Sequence, residues 1–138
     1  MLTTTLRPKI LYVEDHEDTR EMVSLVLEKN EFDVTTAPTL KEGTALAKHR
    51  DFDIYLIDLW LPDGLGLDLA RTIRELDRRT PIVFFSAAAY EHDRVEALKA
   101  GAQAYVTKPT IPSELCRLLN TLIEWRNSPA EEMFDQVH

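Results

Sequence analysis

Three carboxylates, a hydroxyl and an amine stand where short apolar runs of this sequence end. Glu14 and Asp15 follow the run 10–13, Asp58 follows 54–57, Ser86 follows 82–85, and Lys108, with Pro109 behind it, follows 104–107. A lone aspartate after such a run is ordinarily a turn-former or a helix cap. Convergence changes its meaning, because like charges gathered at one place repel unless a cation holds them together. Asp15 and Asp58 can each give one oxygen, a backbone carbonyl just past Asp58 can give a third, and water or a phosphate oxygen can complete the shell. That donor set suits a hard divalent ion such as Mg²⁺, held by few carboxylates and completed by substrate. No histidine pairs with these acids at ligand spacing, and the one cysteine, Cys116, sits among leucines, so zinc is not expected.

The amine and hydroxyl then acquire roles. A lysine beside a metal-held carboxylate supplies a second positive centre for a phosphoryl group, whose charge is spread over three oxygens. Ser86 can donate to one of those oxygens. Asp58 would be the nucleophile, attacking phosphorus to give an acyl phosphate, while the metal and Lys108 offset the repulsion between two anions.

These groups meet only if the intervening elements bring them to one edge. The runs 10–13, 32–36, 54–57, 82–85 and 104–107 are short and rich in β-branched and aromatic residues, as strands are. Between them lie segments of helical period: 19–30, with Met22, Val23, Val26 and Leu27 on one face, then 40–49, 67–76, 94–100 and about 112–126. Thr39 and Glu42 suggest a capping box, Gly101 a left-handed helix stop, and Pro81 a strand start. Strict alternation of strand and helix predicts a parallel sheet covered on both faces, with the apolar first, third and fourth strands at its centre. In such sheets ligands bind outside the carboxyl ends of the strands, which is where the five polar groups fall.

Composition narrows the function. At 138 residues, 44% apolar and 29% charged, the chain reads as one globular domain. A net charge of −8 argues against binding a phosphate backbone and suits a protein that handles a cation or meets other proteins. No run reaches the ~18 apolar residues of a membrane span, and "MLTTTLRPKI" lacks the apolar core of a signal peptide. A cytoplasmic protein without nucleic-acid or membrane partners is expected. Cys116 reads as an inert, semi-buried thiol, His16 as a solvated loop residue, and Gly64 and Gly66 as turn glycines after Pro62. The small Ala87, Ala88 and Ala89 leave room for a bulky donor or simply begin a helix.

The segments "ILYVEDHED", "DIYLIDLWLPDGLG", "VFFSAA" and "ALKAGAQAYVTKP" together resemble the motif blocks of the two-component response-regulator receiver domain, over roughly residues 8–126. The resemblance implies a flavodoxin-like (βα)5 fold with strand order 2-1-3-4-5, flanked by an N-terminal extension (1–7) and a short polar tail (127–138). It makes Asp58 the phospho-acceptor, and Glu14 and Asp15 the acidic pair for Mg²⁺, Glu14 acting through water. The carbonyl of Trp60 would be a further ligand, Lys108 the phosphate-binding lysine, Ser86 the switch hydroxyl and Tyr105 the aromatic that swings with it. A cis peptide between Lys108 and Pro109 is also implied.

Three positions depart from the commonest pattern. Glu14 replaces an aspartate, Ser86 a threonine, and Trp60 is large for a place two residues beyond the acceptor. Trp60 either screens the acyl phosphate or merely caps its loop. The implied function is a switch rather than an enzyme acting on other molecules. Asp58 would be phosphorylated by a histidine kinase or histidine phosphotransfer protein, and the face formed by the fourth helix, fifth strand and last helix would alter its grip on a downstream protein. With so little chain outside 8–126, a single-domain regulator is expected; a receiver fragment of a larger regulator or hybrid kinase, or a pseudo-receiver binding module, is the alternative. A turnover phosphatase would want a second acid where Trp60 stands. A homodimer is possible, but Gln103 and Ala104 occupy places where dimerising receivers often carry acids, and the last helix offers few bases besides Arg117 and Arg126. In the tail, Met133 and Phe134 could anchor a short interaction segment.

Overall fold

The computed structural model describes residues 6–88 and 90–128. Five parallel strands, β1 (Lys9–Val13), β2 (Asp33–Ala37), β3 (Ile54–Ile57), β4 (Ile82–Ser86) and β5 (Ala104–Thr107), form one sheet in the order β2-β1-β3-β4-β5. Helices α1 (Glu17–Lys29), α2 (Leu40–His49), α3 (Gly66–Leu76), α4 (Glu91–Lys99) and α5 (Pro112–Asn127) alternate with them. This is the expected doubly wound plan and strand order. Within the loop after β3, Trp60–Leu61 and Gly64–Leu65 pair as a small antiparallel ladder.

Side-chain alternation along the strands divides the interior in two. Leu11, Val13, Tyr55, Ile57, Ile82 and Phe84 pack against α2, α3 and α4 on one face. On the other, Ile10, Tyr12, Ile54, Leu56, Val83 and Phe85 meet Val23 and Leu27 of α1 and Leu115, Leu119 and Ile123 of α5. Covered on both sides, β3 and β4 are buried at every position, which is why their sequences are apolar without a break. Cys116 is buried in the second cluster, and burial pushes its thiol above the ordinary range. It is the inert thiol the sequence suggests.

Several boundaries differ from the periodicity, each for a physical reason. Helix α1 starts at Glu17 because His16 caps it, the Thr19 amide donating to His16 Nδ1 at 3.2 Å. Met22, expected on its buried face, is 62% exposed. Helix α4 begins at Glu91, since its first turn is polar and carries no apolar rhythm. At α2 only Thr39's half of the expected box forms, its hydroxyl accepting from Glu42 N at 3.1 Å. The free amides of Leu40 and Lys41 go to the Asp63 carboxylate, at 2.7 and 2.9 Å. Gly101 does end α4 with a φ of 105°. Residues 129–138, including Met133 and Phe134, lie outside the described residues, as do 1–5 and Ala89.

At the opposite edge from the polar groups, Asp77 organises the approach to β4. Its carboxylate accepts from the Thr80 hydroxyl and from the amides of Arg79 and Thr80. Partial burial opposes ionisation there, but these hydrogen bonds outweigh it and hold the carboxyl below its usual range. A depressed folded-state value means that the stabilisation is complete above the ordinary aspartate pKa of ~3.9 and is lost as pH falls through the lower folded value. Urea unfolding between neutral pH and pH ~3 should therefore show a steeper acid loss of stability in the natural protein than in Asp77→Asn.

Candidate functional site

Register brings the polar groups together. Val13 pairs with Ile57, Ile57 with Phe84, and Ser86 with Thr107, so β1, β3, β4 and β5 end nearly level. The ladder continues one residue past the strands, with Asp58 N donating to Val13 O at 2.9 Å and Lys108 N to Ser86 O at 2.8 Å. Glu14, Asp58, Ser86 and Lys108 are thereby fixed at the carboxyl edge by backbone hydrogen bonds.

At the centre is the Lys108 ammonium. It donates to Asp58 Oδ2 at 2.9 Å and also to Glu14 Oε1, and it lies 5.3 Å from the centroid of the Phe85 ring. Glu14 is 1% exposed and Asp58 8%. The Glu14 carboxylate is further held by the His16 amide at 3.1 Å and the Tyr12 hydroxyl at 3.5 Å. Burial pushes Glu14 above the ordinary carboxylate range, with Lys108 and the His16 amide only partly opposing it. For Lys108, burial alone would favour the neutral amine, but the hydrogen bonds to Glu14 and Asp58 win and raise it, so the ammonium persists. Burial, then the charge of Glu14, drives the Tyr12 hydroxyl far above its usual value, keeping it a donor.

One oxygen from each of Glu14, Asp15 and Asp58 lies within 4.8 Å of the others. An Mg²⁺ octahedron is roughly 4 Å across its opposite ligands, so small closing movements suffice to bring these oxygens onto one ion. Three carboxylates against one ammonium leave two negative charges, which a dication neutralises. The residues fit the ion: Asp15, exposed, and Asp58 can ligate it, with Glu14 behind them already committed to Lys108.

Ser86 is 1% exposed, and its Oγ accepts from Ala88 N at 3.3 Å. The carbonyl of the same Ala88 accepts from the Tyr105 hydroxyl at 2.7 Å. Tyr105 is turned inward, stacked on Phe84 with centroids 6.4 Å apart. Ser86 and Tyr105 thus hold the same residue, Ala88, one at its N–H and the other at its C=O, a link that neither residue's identity announces. The Lys108–Pro109 peptide is cis, as the resemblance implies. Trp60 N donates to Asp58 Oδ1 at 3.3 Å, its backbone belongs to the loop ladder, and its indole is 58% exposed. His16 is spent on capping α1.

Three residues at the site escaped sequence reasoning. Gly66 read as a turn glycine, and that suits only Gly64, whose φ is 153°. A Cβ on Gly66 would lie 2.2 Å from the Asp58 carbonyl oxygen, so glycine is required there by close approach of the Asp58 backbone. Tyr12 carried a signal, since two residues before Glu14 on a strand means the same face. Arg20, which reaches the Glu14 and Asp15 carbonyls, carried none.

Comparison with known proteins agrees with this geometry. The family model of the response regulator receiver domain matches residues 10–120. Response regulator protein PilR of Pseudomonas aeruginosa is 37% identical over 126 residues, covering 91% of this chain and 28% of PilR. Cell cycle response regulator CtrA of Brucella ovis is 34% identical over 125 residues, covering 91% of this chain and 54% of CtrA. The chain therefore spans 28% to 54% of the length of these relatives. Among solved structures, a CheY-like response regulator receiver domain protein from Methanospirillum hungatei superposes with a TM-score of 0.84 at 28% identity, over 87% of this chain and 96% of that one. The receiver domain of sensor histidine kinase PA1611 from Pseudomonas aeruginosa, solved with a magnesium ion coordinated in its active site cleft, gives 0.80 at 31% identity, over 86% and 98%.

The contact at Gly66 has a measurable consequence. Gly66→Ala must displace the Asp58 backbone, and should lower stability to urea by about 2 kcal/mol. It should also weaken binding of Mn²⁺, followed by the paramagnetic resonance of the free ion. A variant with unchanged stability and affinity would show that the acceptor loop tolerates the shift.

Proposed function

The chain belongs to the response regulator receiver domain family, and from that premise we propose that it accepts a phosphoryl group from phosphohistidine onto Asp58 and passes the change to a protein partner. The observation that carries this reading is the buried Lys108 ammonium shared by Glu14 and Asp58, beside carboxylate oxygens gathered within 4.8 Å. In the transfer an Asp58 carboxylate oxygen forms a bond to phosphorus as the bond from phosphorus to the donor histidine nitrogen breaks, leaving an imidazole. Asp15, Asp58 and a carbonyl of the loop after β3 would hold Mg²⁺, which would supply positive charge toward the phosphoryl oxygens. Lys108 keeps its grip on Glu14 and exchanges Asp58 for a phosphoryl oxygen, so its charge stays paired throughout. The protein catalyses only its own phosphorylation and dephosphorylation.

Ser86 carries the change outward. Turning its hydroxyl to the phosphoryl group releases the Ala88 amide, and Ala88 holds Tyr105 through its carbonyl. Tyr105 lies on β5, beside α4, where Tyr90, Val95 and Leu98 are exposed. That face, with α5, is the proposed output surface, biased between two arrangements by a local charge event. Gln103 is turned inward by its side-chain oxygen, which accepts from Arg74 Nη2 at 2.7 Å and Ile82 N at 2.8 Å and so is not free to bond a second copy. A monomeric switch is the simpler reading. Among the described residues no helix is long and apolar enough to cross a membrane, and we place the protein in the cytoplasm, where its donor's phosphohistidine is made.

A protein donor is favoured by the surface beside the site. An apolar groove of about 370 Å³ runs between α1 and the loop after β5, lined by Met22, Val26, Phe85, Pro109 and Leu115 and reaching Lys108. Met22 in the groove is itself exposed, and the elements that border the groove carry two more exposed apolar side chains, Leu25 on α1 and Ile111 just before α5.

Incubation with acetyl phosphate and Mg²⁺ should add one phosphoryl group by intact mass, absent with EDTA and absent in Asp58→Asn. An adduct that survives in Asp58→Asn would move the acceptor elsewhere. Met22→Asp should slow transfer from a phosphorylated histidine phosphotransfer protein at least tenfold and leave acetyl phosphate labelling unchanged; equal rates with the protein donor would free the groove of that role.

A further inference from the structure

The acidic pair sits where the chain leaves the sheet. Glu14 N still donates to Ala37 O at 3.0 Å, but beyond it the chain leaves the ladder and turns into α1. In that turn the carbonyls of Glu14 and Asp15 are taken by one side chain. Arg20 Nη1 donates to Glu14 O at 3.0 Å and to Asp15 O at 3.3 Å. Arg20 is itself fixed in the first turn of α1, its amide donating to His16 O at 2.9 Å, while His16 caps the same turn through Thr19.

We infer that Arg20 is a positioning residue for the dication site: its guanidinium clamps two consecutive carbonyls and so sets where the Glu14 and Asp15 carboxylates stand. This rests on the dication reading given above. The physical contest is between two effects of opposite sign. A cation near the acidic pair lowers the site's affinity for another cation through charge alone. A clamp that holds the ligands in their bound arrangement raises that affinity, because ordering them is no longer left to the ion. The geometry favours the clamp. The guanidinium is directed at the carbonyls rather than the carboxylates; both bonds leave Nη1, whose two N–H bonds are fixed in the guanidinium plane, whereas a lysine ammonium would have to order a flexible stem and a freely turning head to make the same pair. The outer face of the turn remains reachable by water, so losing the clamp loosens the turn without exposing core.

The test is Mn²⁺ affinity, read from the free ion's paramagnetic resonance, for the natural protein, Arg20→Lys, Arg20→Gln and a control, Lys29→Gln, which removes a positive charge at the far end of α1. Urea unfolding of each confirms that it folds. About tenfold weaker binding in both Arg20 variants, with the control unchanged, supports the clamp. Unchanged or tighter binding in Arg20→Gln overturns it, since only charge would then be acting, and so does full affinity in Arg20→Lys. If the natural protein binds no Mn²⁺, the dication reading falls, and the inference with it. If the natural protein binds and the Arg20 variants match it, the inference alone fails.

Discussion

Two carboxylates cannot be buried side by side on neighbouring strands without a counter-charge, and here a single ammonium meets that constraint. Lys108 reaches Glu14 and Asp58 at once, which leaves one negative charge on that pair and a second on Asp15 at the solvent edge. Breaking such a buried arrangement by removing one partner is costly, whereas exchanging one oxygen partner for another is not. A site built this way resists opening and readily accepts substitution of one anion by another. That is the property a phosphoryl acceptor needs.

The fold serves this balance through register. Parallel strands that end level put one residue from each at the same edge, and continued ladder bonds at Asp58 and Lys108 leave those residues little freedom. Gly66 lets α3 begin against the Asp58 carbonyl, so the loop that starts at Asp58 is short and tightly closed. Tyr12 and Phe85, from the two central strands beside the site, complete the lining around Glu14 and Lys108.

Much of this was legible in the sequence, for identifiable reasons. Strands β3 and β4 are apolar throughout because both faces are covered, so their ends, and hence Asp58 and Ser86, stand out. The start of α4 was hidden because Glu91, His92 and Asp93 have no apolar rhythm, and Met22 was misplaced because a helix stripe read from spacing does not say where its rim lies. What stayed illegible is tertiary. Asp63 caps a helix that begins 23 residues earlier in the chain. The need for glycine at 66 depends on where the Asp58 carbonyl comes to rest, and the clamp by Arg20 depends on the turn it holds. Ser86 and Tyr105 meet through the backbone of a third residue, Ala88.

The tie between Asp63 and α2 makes the rim of the site unequal in stiffness. On the β3 side the loop is fastened by the Trp60–Leu65 ladder, by Gly66 N to Leu59 O at 2.8 Å, and by the Asp63 cap. On the β4 side, among the described residues, Ala88 is held by one serine oxygen, which accepts from its N–H at 3.3 Å, and by one tyrosine hydroxyl, which donates to its carbonyl. A new charge pressing equally on both sides moves the softer one. Under the proposed switch the site would have a built-in direction: strain entering at Asp58 would be resisted on the α2 side and would leave toward α4, as a hinge swings away from its fixed leaf.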